Sequence, residues 1–71
     1  MKYNEQTFQL IKAAVYYKDE NPEQRWGQAL SNTVWLRYGI TQCPSFVDPF
    51  NDDSKCDLFL QWFQEEMKKN G

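Results

Sequence analysis

The 71-residue sequence contains no histidine. Its absence excludes a Ser-His or Cys-His nucleophile pair and a histidine general base. A glycosidase-type pair of carboxylates would need a deep substrate cleft, which a helical chain of this length can hardly enclose. We therefore expect a protein that is not an enzyme and that uses no cofactor.

Cysteine is scarce as well, since Cys43 and Cys56 are the two in the chain. Two thiols without histidine cannot supply the four ligands of a structural zinc site. The acidic stretch at 48–57 does not match a calcium loop either, because Phe50 or Lys55 falls where the loop needs an oxygen ligand. We expect no bound metal and two reduced thiols.

Long apolar runs and a surplus of basic charge are also missing. No segment approaches the roughly 20 apolar residues of a membrane span, and the first residues lack the apolar stretch of a signal peptide. Eight Lys and Arg against ten Asp and Glu give a net charge of −2, which disfavours the neutralisation of nucleic-acid phosphates. We expect a cytoplasmic protein that binds no membrane and whose main partner is not nucleic acid.

Helical periodicity covers most of the chain and predicts a single all-α domain over residues 1–71. The three predicted helices span about 4–18, 22–38 and 54–69, with Gly39 as the C-cap of the second. Their expected N-caps are Asn4, Asn21 and Ser54. The sequence therefore predicts a small three-helix domain.

A long structured loop, residues 40–53, joins the second and third helices. We expect Phe46 and Phe50 to hold this loop against the helices. Gly27 lies inside the second helix, where it costs about 1 kcal/mol relative to Ala. A glycine at such a position indicates that another backbone or a large ring comes close.

The expected core consists of apolar residues that recur at helical spacing. It comprises Phe8, Ile11, Val15, Trp26, Leu30, Val34, Phe59, Leu60 and Phe63.

Arg25 immediately precedes the predicted core residue Trp26, and we interpret it as a structural clamp that holds the 40–53 loop down. Arg25 and Arg37 lie about 120° apart around the helix axis, so they do not grip one ligand together. We expect Arg25 to pair with an aspartate of the acidic loop, with Asp48 and Asp52 as the candidates. The alternative is that a single arginine contacts a phosphate or an acidic group of a partner.

Aromatic residues are abundant, at 17% of the chain. Tyr16, Trp35, Tyr38 and Trp62 do not all fit inside a three-helix core. Because Trp and Tyr are enriched in binding hot spots, we expect these four to contribute to a partner-binding or self-association surface.

Three short motifs follow one another along the chain. Residues 25–32 read Arg-Trp-Gly-Gln-Ala-Leu-Ser-Asn, residues 48–53 read Asp-Pro-Phe-Asn-Asp-Asp, and residues 59–62 read Phe-Leu-Gln-Trp. This order resembles small uncharacterised proteins encoded by bacteriophages and prophages. The resemblance implies a phage origin and a helical fold, and it assigns no catalytic or binding residue. Phage proteins of this size commonly bind host proteins, including polymerases, nucleases and CRISPR effectors.

These features lead us to expect a non-enzymatic protein-binding module that acts in the host cytoplasm as an inhibitor of a host protein. One alternative is a single-stranded nucleic-acid binder that uses Trp35, Arg37 and Tyr38. Another is a small structural homo-oligomer.

Overall fold

The computed structural model describes residues 3–70 and has three α-helices. These are α1 (Glu5–Glu20), α2 (Trp26–Tyr38) and α3 (Cys56–Asn70), and a short 3₁₀ turn, Asp53–Lys55, precedes α3. Residues 3–70 contain no strand, so the predicted all-α fold is confirmed. None of the helices in this range is long and apolar enough to cross a membrane.

The start of α1 is fixed by its predicted N-cap and by contacts with α3. The side-chain oxygen of Asn4 accepts the backbone N–H of Thr7 at 2.9 Å. The backbone N–H of Asn4 donates to Oε1 of Gln64 at 2.7 Å, and the Tyr3 hydroxyl donates to the Asp57 carboxylate. The N-terminal end of α1 is therefore attached to α3.

Helix α2 begins four residues later than the sequence predicts. Asn21, the expected N-cap, instead ends α1: its backbone N–H and its side-chain amide both donate to the carbonyl of Tyr17, each at 2.9 Å. The next residues form a turn closed by the Gln24 N–H and the Asn21 carbonyl at 3.0 Å. Arg25 is the N-cap, and its N–H donates to Oε1 of Gln28 at 3.1 Å. The side chain at the third helical position thus bonds back to the N-cap, as in a capping box, but about one turn after the predicted N-cap Asn21. At the other end, Gly39 caps α2 in the left-handed conformation (φ 68°), as predicted.

The start of α3 also differs from the prediction. Ser54 is not an N-cap, because it lies inside the 3₁₀ turn, and Asp52 caps that turn by accepting the Ser54 backbone N–H at 3.0 Å. The backbone N–H of Ser54 is thus bonded to Asp52 and not to Asp57, so Ser54 and Asp57 form no capping box. The Asp57 carboxylate accepts from the Gln61 side chain at 3.2 Å and from the Tyr3 hydroxyl.

One apolar core joins the three helices. Its buried cluster consists of Leu10, Ala14, Leu30, Val34, Phe59, Leu60 and Phe63. The predictions for α2 and α3 are therefore correct at Leu30, Val34, Phe59, Leu60 and Phe63. The small residue Ala29 is buried on α2 as well.

The predicted core face of α1 is wrong by about one residue. Thr7, Leu10 and Ala14 are buried, whereas Phe8 and Ile11 are half-buried and Val15 is 41% exposed. A step of one residue turns the helix face by about 100°. Ala14 on α1 and Ala29 on α2 are small buried residues, and the bulkier Phe8, Ile11 and Val15 are only partly covered.

Trp26 is a second exception to the predicted core. It is the first residue of α2, and its side chain is half-exposed. The ammonium group of Lys18 lies 5.4 Å from the centroid of its ring, within cation–π distance. The ring therefore packs on the surface of α1 instead of entering the core.

The loop is held by residues other than the two expected. Val47 and Pro49 are buried, whereas Phe46 is 70% exposed and Phe50 is partly exposed. Turn hydrogen bonds direct Val47 inward: its N–H donates to the Pro44 carbonyl at 3.0 Å. The Phe46 ring is therefore largely in water, and the Phe50 ring is only partly covered.

The corrected α1 face predicts a stability difference between two substitutions. Leu10→Ala removes a fully buried side chain and should lower the free energy of unfolding by about 2–5 kcal/mol. Val15→Ala should change it by less than about 1 kcal/mol, because 41% of the Val15 side chain is already exposed to water. Urea titration monitored by circular dichroism measures both. A larger loss for Val15→Ala than for Leu10→Ala would restore the original assignment of the face.

Candidate functional site

The loop between α2 and α3 crosses the first turn of α2 at Gly27. A Cβ atom added to Gly27 would lie 1.8 Å from the carbonyl oxygen of Pro49 and 2.8 Å from its carbonyl carbon. No side chain fits in that space, so the backbone of Pro49 packs directly on the helix. Gly27 thus has the close backbone neighbour that the sequence predicts.

Asp53 adds a polar contact at the same point. Its Oδ1 accepts the backbone N–H of Gly27 at 3.0 Å, one of the N–H groups that a helix start leaves without a helical partner. Nε of Arg25 lies 3.9 Å from the same oxygen, and the Arg25 guanidinium donates to the backbone carbonyl of Phe50. We call the contacts made by Arg25, Gly27, Pro49 and Asp53 the loop clamp.

The aspartate that pairs with Arg25 is therefore Asp53, and the two expected partners have local roles. Asp48 and Asp52 each accept the backbone N–H of the residue two positions ahead, at 3.0 Å. Such short-range bonds are typical of aspartate in turns. They use the carboxylate oxygens within the loop, whereas Asp53 alone of the three bonds to α2.

Asp52 also has a shifted acidity. The hydroxyl of Ser54 donates to its Oδ1 at 2.6 Å, and the Ser54 backbone N–H donates to the same oxygen. These two hydrogen bonds lower the pKa of the Asp52 carboxyl, and the charges of Lys55 and Arg25 contribute less. Asp52 remains an anion at neutral pH and keeps its role as the cap of the 3₁₀ turn.

A cleft of about 520 Å³ separates α2 from the loop. Trp35 lines it from α2, Ile40 and Phe50 line it from the loop, and Phe59 lines it from α3. The polar lining consists of Ser31, Asn32, Thr41, Gln42 and Asp48. We call this space the Trp35 cleft.

The Trp35 cleft exposes aromatic surface on two sides. The Trp35 side chain is 56% exposed, and that of Phe50 is 39% exposed. Phe50 follows Pro49 directly, and its carbonyl is bonded to Arg25. The loop clamp therefore fixes the position of the loop segment that places Phe50 in the cleft lining.

The two cysteines have the properties of structural thiols. Both are free and half-buried. Burial raises the pKa of the Cys43 thiol, and the nearby Asp48 charge raises it further. Burial likewise raises the pKa of Cys56, with Asp53 and Asp52 adding to the effect. Cys43 lines the Trp35 cleft as a neutral thiol. Residues 3–70 contain no group of three or more Cys, Asp or Glu side chains placed to hold a metal ion.

The four aromatic residues expected at a partner surface are distributed over the molecule. Trp35 lines the cleft, whereas Tyr16, 74% exposed, lines a second groove of about 360 Å³ between α1 and α2. Tyr38 and Trp62 are half-buried and pack against the core. The Tyr38 ring meets Phe63 edge-on, with 5.1 Å between centroids. Trp62 stacks on Phe59 at 5.6 Å.

Sequence reasoning missed Phe50 as a second aromatic residue in the lining of the Trp35 cleft. The signal for it was present in the glycine at position 27, which requires a backbone nearby, and in the proline that precedes Phe50. Together they indicate which loop segment lies over α2 and therefore which ring stands beside it.

The contact at Gly27 predicts a stability loss from the smallest possible side chain. Gly27→Ala should lower the free energy of unfolding by about 1–3 kcal/mol, because the added methyl overlaps the Pro49 carbonyl. Helix propensity alone would raise stability by about 1 kcal/mol. Chemical denaturation decides the sign. Gln9→Ala, at an exposed position of α1, is the matched control and should stay within about 0.5 kcal/mol of the parent.

A second prediction separates the hydrogen bond of Asp53 from its charge. Asp53→Ala removes the acceptor for the Gly27 N–H and should cost about 1 kcal/mol, as the loss of a helix cap does. Asp53→Asn keeps an oxygen acceptor and should retain most of the stability, because the ion pair with Arg25 is half-exposed and contributes little. Equal losses for the two variants in thermal unfolding would show that the charge is the main contribution.

Comparison with known proteins adds no assignment to these surfaces. No family model, curated protein or solved structure matches the chain. The Trp35 cleft, the loop clamp and the groove between α1 and α2 are therefore the features from which a function can be inferred.

Proposed function

We propose that this chain is a non-enzymatic protein-binding module that receives an apolar side chain of a partner protein in the Trp35 cleft. The observation that carries the proposal is that two exposed aromatic side chains, Trp35 and Phe50, line one cleft of about 520 Å³. Tryptophan at a concave site is the residue type most enriched among binding hot spots.

The rigidity of the cleft supports binding. A loop that must become ordered on association reduces the affinity, because the lost conformational freedom opposes complex formation. Here the Pro49 backbone is packed on Gly27, and Asp53 and Arg25 bond the loop to the start of α2. The wall that carries Phe50 is thus in place before a partner arrives.

The lining of the cleft indicates the chemistry of the partner segment. Asp48 is half-buried, and it is the one Asp, Glu, Lys or Arg among the lining residues. Neutral hydroxyl and amide groups, such as those of Thr41 and Gln42, surround the aromatic surface. The site suits an apolar or aromatic side chain that is flanked by hydrogen-bond donors or by a basic group, and Asp48 repels an anionic segment.

The partner that we propose is a host protein, and the effect that we propose is inhibition. The order of the three motifs in residues 25–62 resembles small phage-encoded proteins, whose common partners include CRISPR effectors, nucleases and polymerases. We assign the chain to the host cytoplasm, a reducing compartment that suits the free thiols of Cys43 and Cys56.

A non-enzymatic role agrees with the acid–base chemistry of the chain. There is no histidine. The raised pKa values of Cys43 and Cys56 keep both thiols protonated at neutral pH, and a protonated thiol is a poor nucleophile.

The positions of Trp35, Arg37 and Tyr38 are less suitable for binding single-stranded nucleic acid. Trp35 and Arg37 are separated by about 200° around α2. Accordingly, Trp35 lines the cleft and Arg37 lines the groove on the α1 side, while the Tyr38 ring packs on Phe63. A binder of single strands needs stacking rings and basic groups along one track. The separation of these residues favours the protein-binding proposal.

Affinity capture from host lysate with matched variants tests the proposal. The tagged chain should retain a host protein that Trp35→Ser and Phe50→Ser lose by at least about tenfold, as removal of a hot-spot side chain does. Mass spectrometry quantifies the captured protein.

Phe46→Ser is the control for this capture, because Phe46 is an exposed aromatic residue outside the cleft lining. It should capture the same protein as the parent chain. A captured protein that is retained equally by all four chains would refute the assignment of the cleft, as would the absence of any captured host protein.

A further inference from the structure

The groove between α1 and α2 lies apart from the Trp35 cleft and has a large exposed apolar centre. Tyr16 of α1 and Leu36 of α2 both line it, and their side chains are 74% and 67% exposed. The smaller side chains of Ala13 and Thr33 line the groove as well. Two large apolar groups therefore stand in water at one concave site, although each belongs to a helix whose opposite face is buried.

Charged residues are arranged around this centre with opposite signs at opposite ends. Glu20 is the last residue of α1, and Arg37 lies in the last turn of α2. A link of five residues, 21–25, joins these helices, so they run in roughly opposite directions and their C-terminal ends lie apart. The groove therefore has an acidic end at Glu20 and a basic end at Arg37.

Two further side chains on α1 extend the same polarity. Lys12 precedes Tyr16 by four residues, and Asp19 follows it by three, so both lie within about 60° of Tyr16 around the helix axis. Lys12 falls toward the end that holds Arg37, and Asp19 stands beside Glu20. Within residues 3–70 none of these four charged groups makes an ion pair or a side-chain hydrogen bond.

We propose that this face binds a second copy of the chain in a two-fold symmetric dimer. A two-fold axis through the apolar centre places Tyr16 and Leu36 of one copy against those of the other. With the axis running across the groove, the rotation also places the basic end of each copy against the acidic end of its partner. A surface that is complementary to itself after such a rotation is the requirement for an isologous interface. The face has two positive and two negative groups, so two copies do not repel one another.

The dimer is independent of the cleft. Neither Trp35 nor Phe50 lines the groove between α1 and α2. Self-association through this groove leaves both clefts of the dimer open, and the assembled protein presents two of them.

Sedimentation equilibrium over a series of concentrations tests the proposal. The chain of 8.5 kDa should approach a mass of 17 kDa (2 × 8.5) and stop there, because a two-fold interface is closed. A mass that stays at 8.5 kDa, or that grows beyond the dimer, would overturn it.

Charge reversal gives the more specific evidence. Glu20→Arg and Arg37→Glu each place like charges against one another across the interface and should weaken the dimer by at least about tenfold in Kd. The double variant carrying both changes restores opposite charges and should recover the parent Kd within about threefold. Failure of the double variant to recover would contradict the two-fold arrangement. All these positions are exposed, so folding should be retained, and circular dichroism checks it.

Leu36→Ser and two controls complete the test. Leu36→Ser should abolish the dimer. Phe46→Ser should leave it intact, because Phe46 is exposed to a similar degree but does not line the groove between α1 and α2. Trp35→Ser should still dimerise, so a loss of host-protein capture with this variant reports on the cleft alone. An unchanged Kd for Leu36→Ser would refute the assigned interface.

Discussion

The approach of the Pro49 carbonyl to Gly27 is the constraint on which the other features of the molecule depend. It sets the path of the whole connection from α2 to α3, because the chain can pass over the helix start only where a Cβ atom is missing. Once Pro49 is in place, Asp53 reaches the free N–H of the first turn of α2, and Arg25 reaches the loop carbonyl. The loop thereby supplies the cap that α2 lacks, since the side chain at the N-cap position itself belongs to an arginine.

Two surfaces of different character result from this arrangement. One lies between α2 and the fixed loop, and its aromatic walls come from segments far apart in sequence. The other lies between α1 and α2, which are neighbours in the chain, and it combines exposed apolar side chains with balanced charge. Helix α2 contributes to both, through residues that differ by a single position, Trp35 and Leu36. One helix, buried on one side and partly exposed on two others, thus supplies lining residues to two surfaces of a chain of 71 residues.

Local signals in the sequence were sufficient for the fold class, the N-cap at Asn4, the C-cap at Gly39 and five core residues of α2 and α3, namely Leu30, Val34, Phe59, Leu60 and Phe63. Two kinds of feature needed the structure. The burial of Leu10 instead of Phe8 depends on how α1 is rotated against the other helices, and periodicity alone does not distinguish two stripes that differ by about 100°. The choice of Asp53 over Asp48 and Asp52 depends on where the loop crosses α2. The three side chains are chemically identical, and only the tertiary contact with Gly27 and Arg25 distinguishes Asp53 from the other two. Sequence spacing alone does not predict that contact.

Phe50 contributes its backbone carbonyl to the loop clamp and its ring to the cleft lining, and the two sets of residues are otherwise separate. Arg25, Gly27, Pro49 and Asp53 do not line the cleft, and Trp35, Ile40, Thr41 and Gln42 make no contact in the clamp. Substitutions in the lining can therefore change the shape and chemistry of the cleft without loosening the loop that borders it. Because the residues that fix the loop are largely distinct from those that give the cleft its chemistry, one fold can carry many different cleft linings.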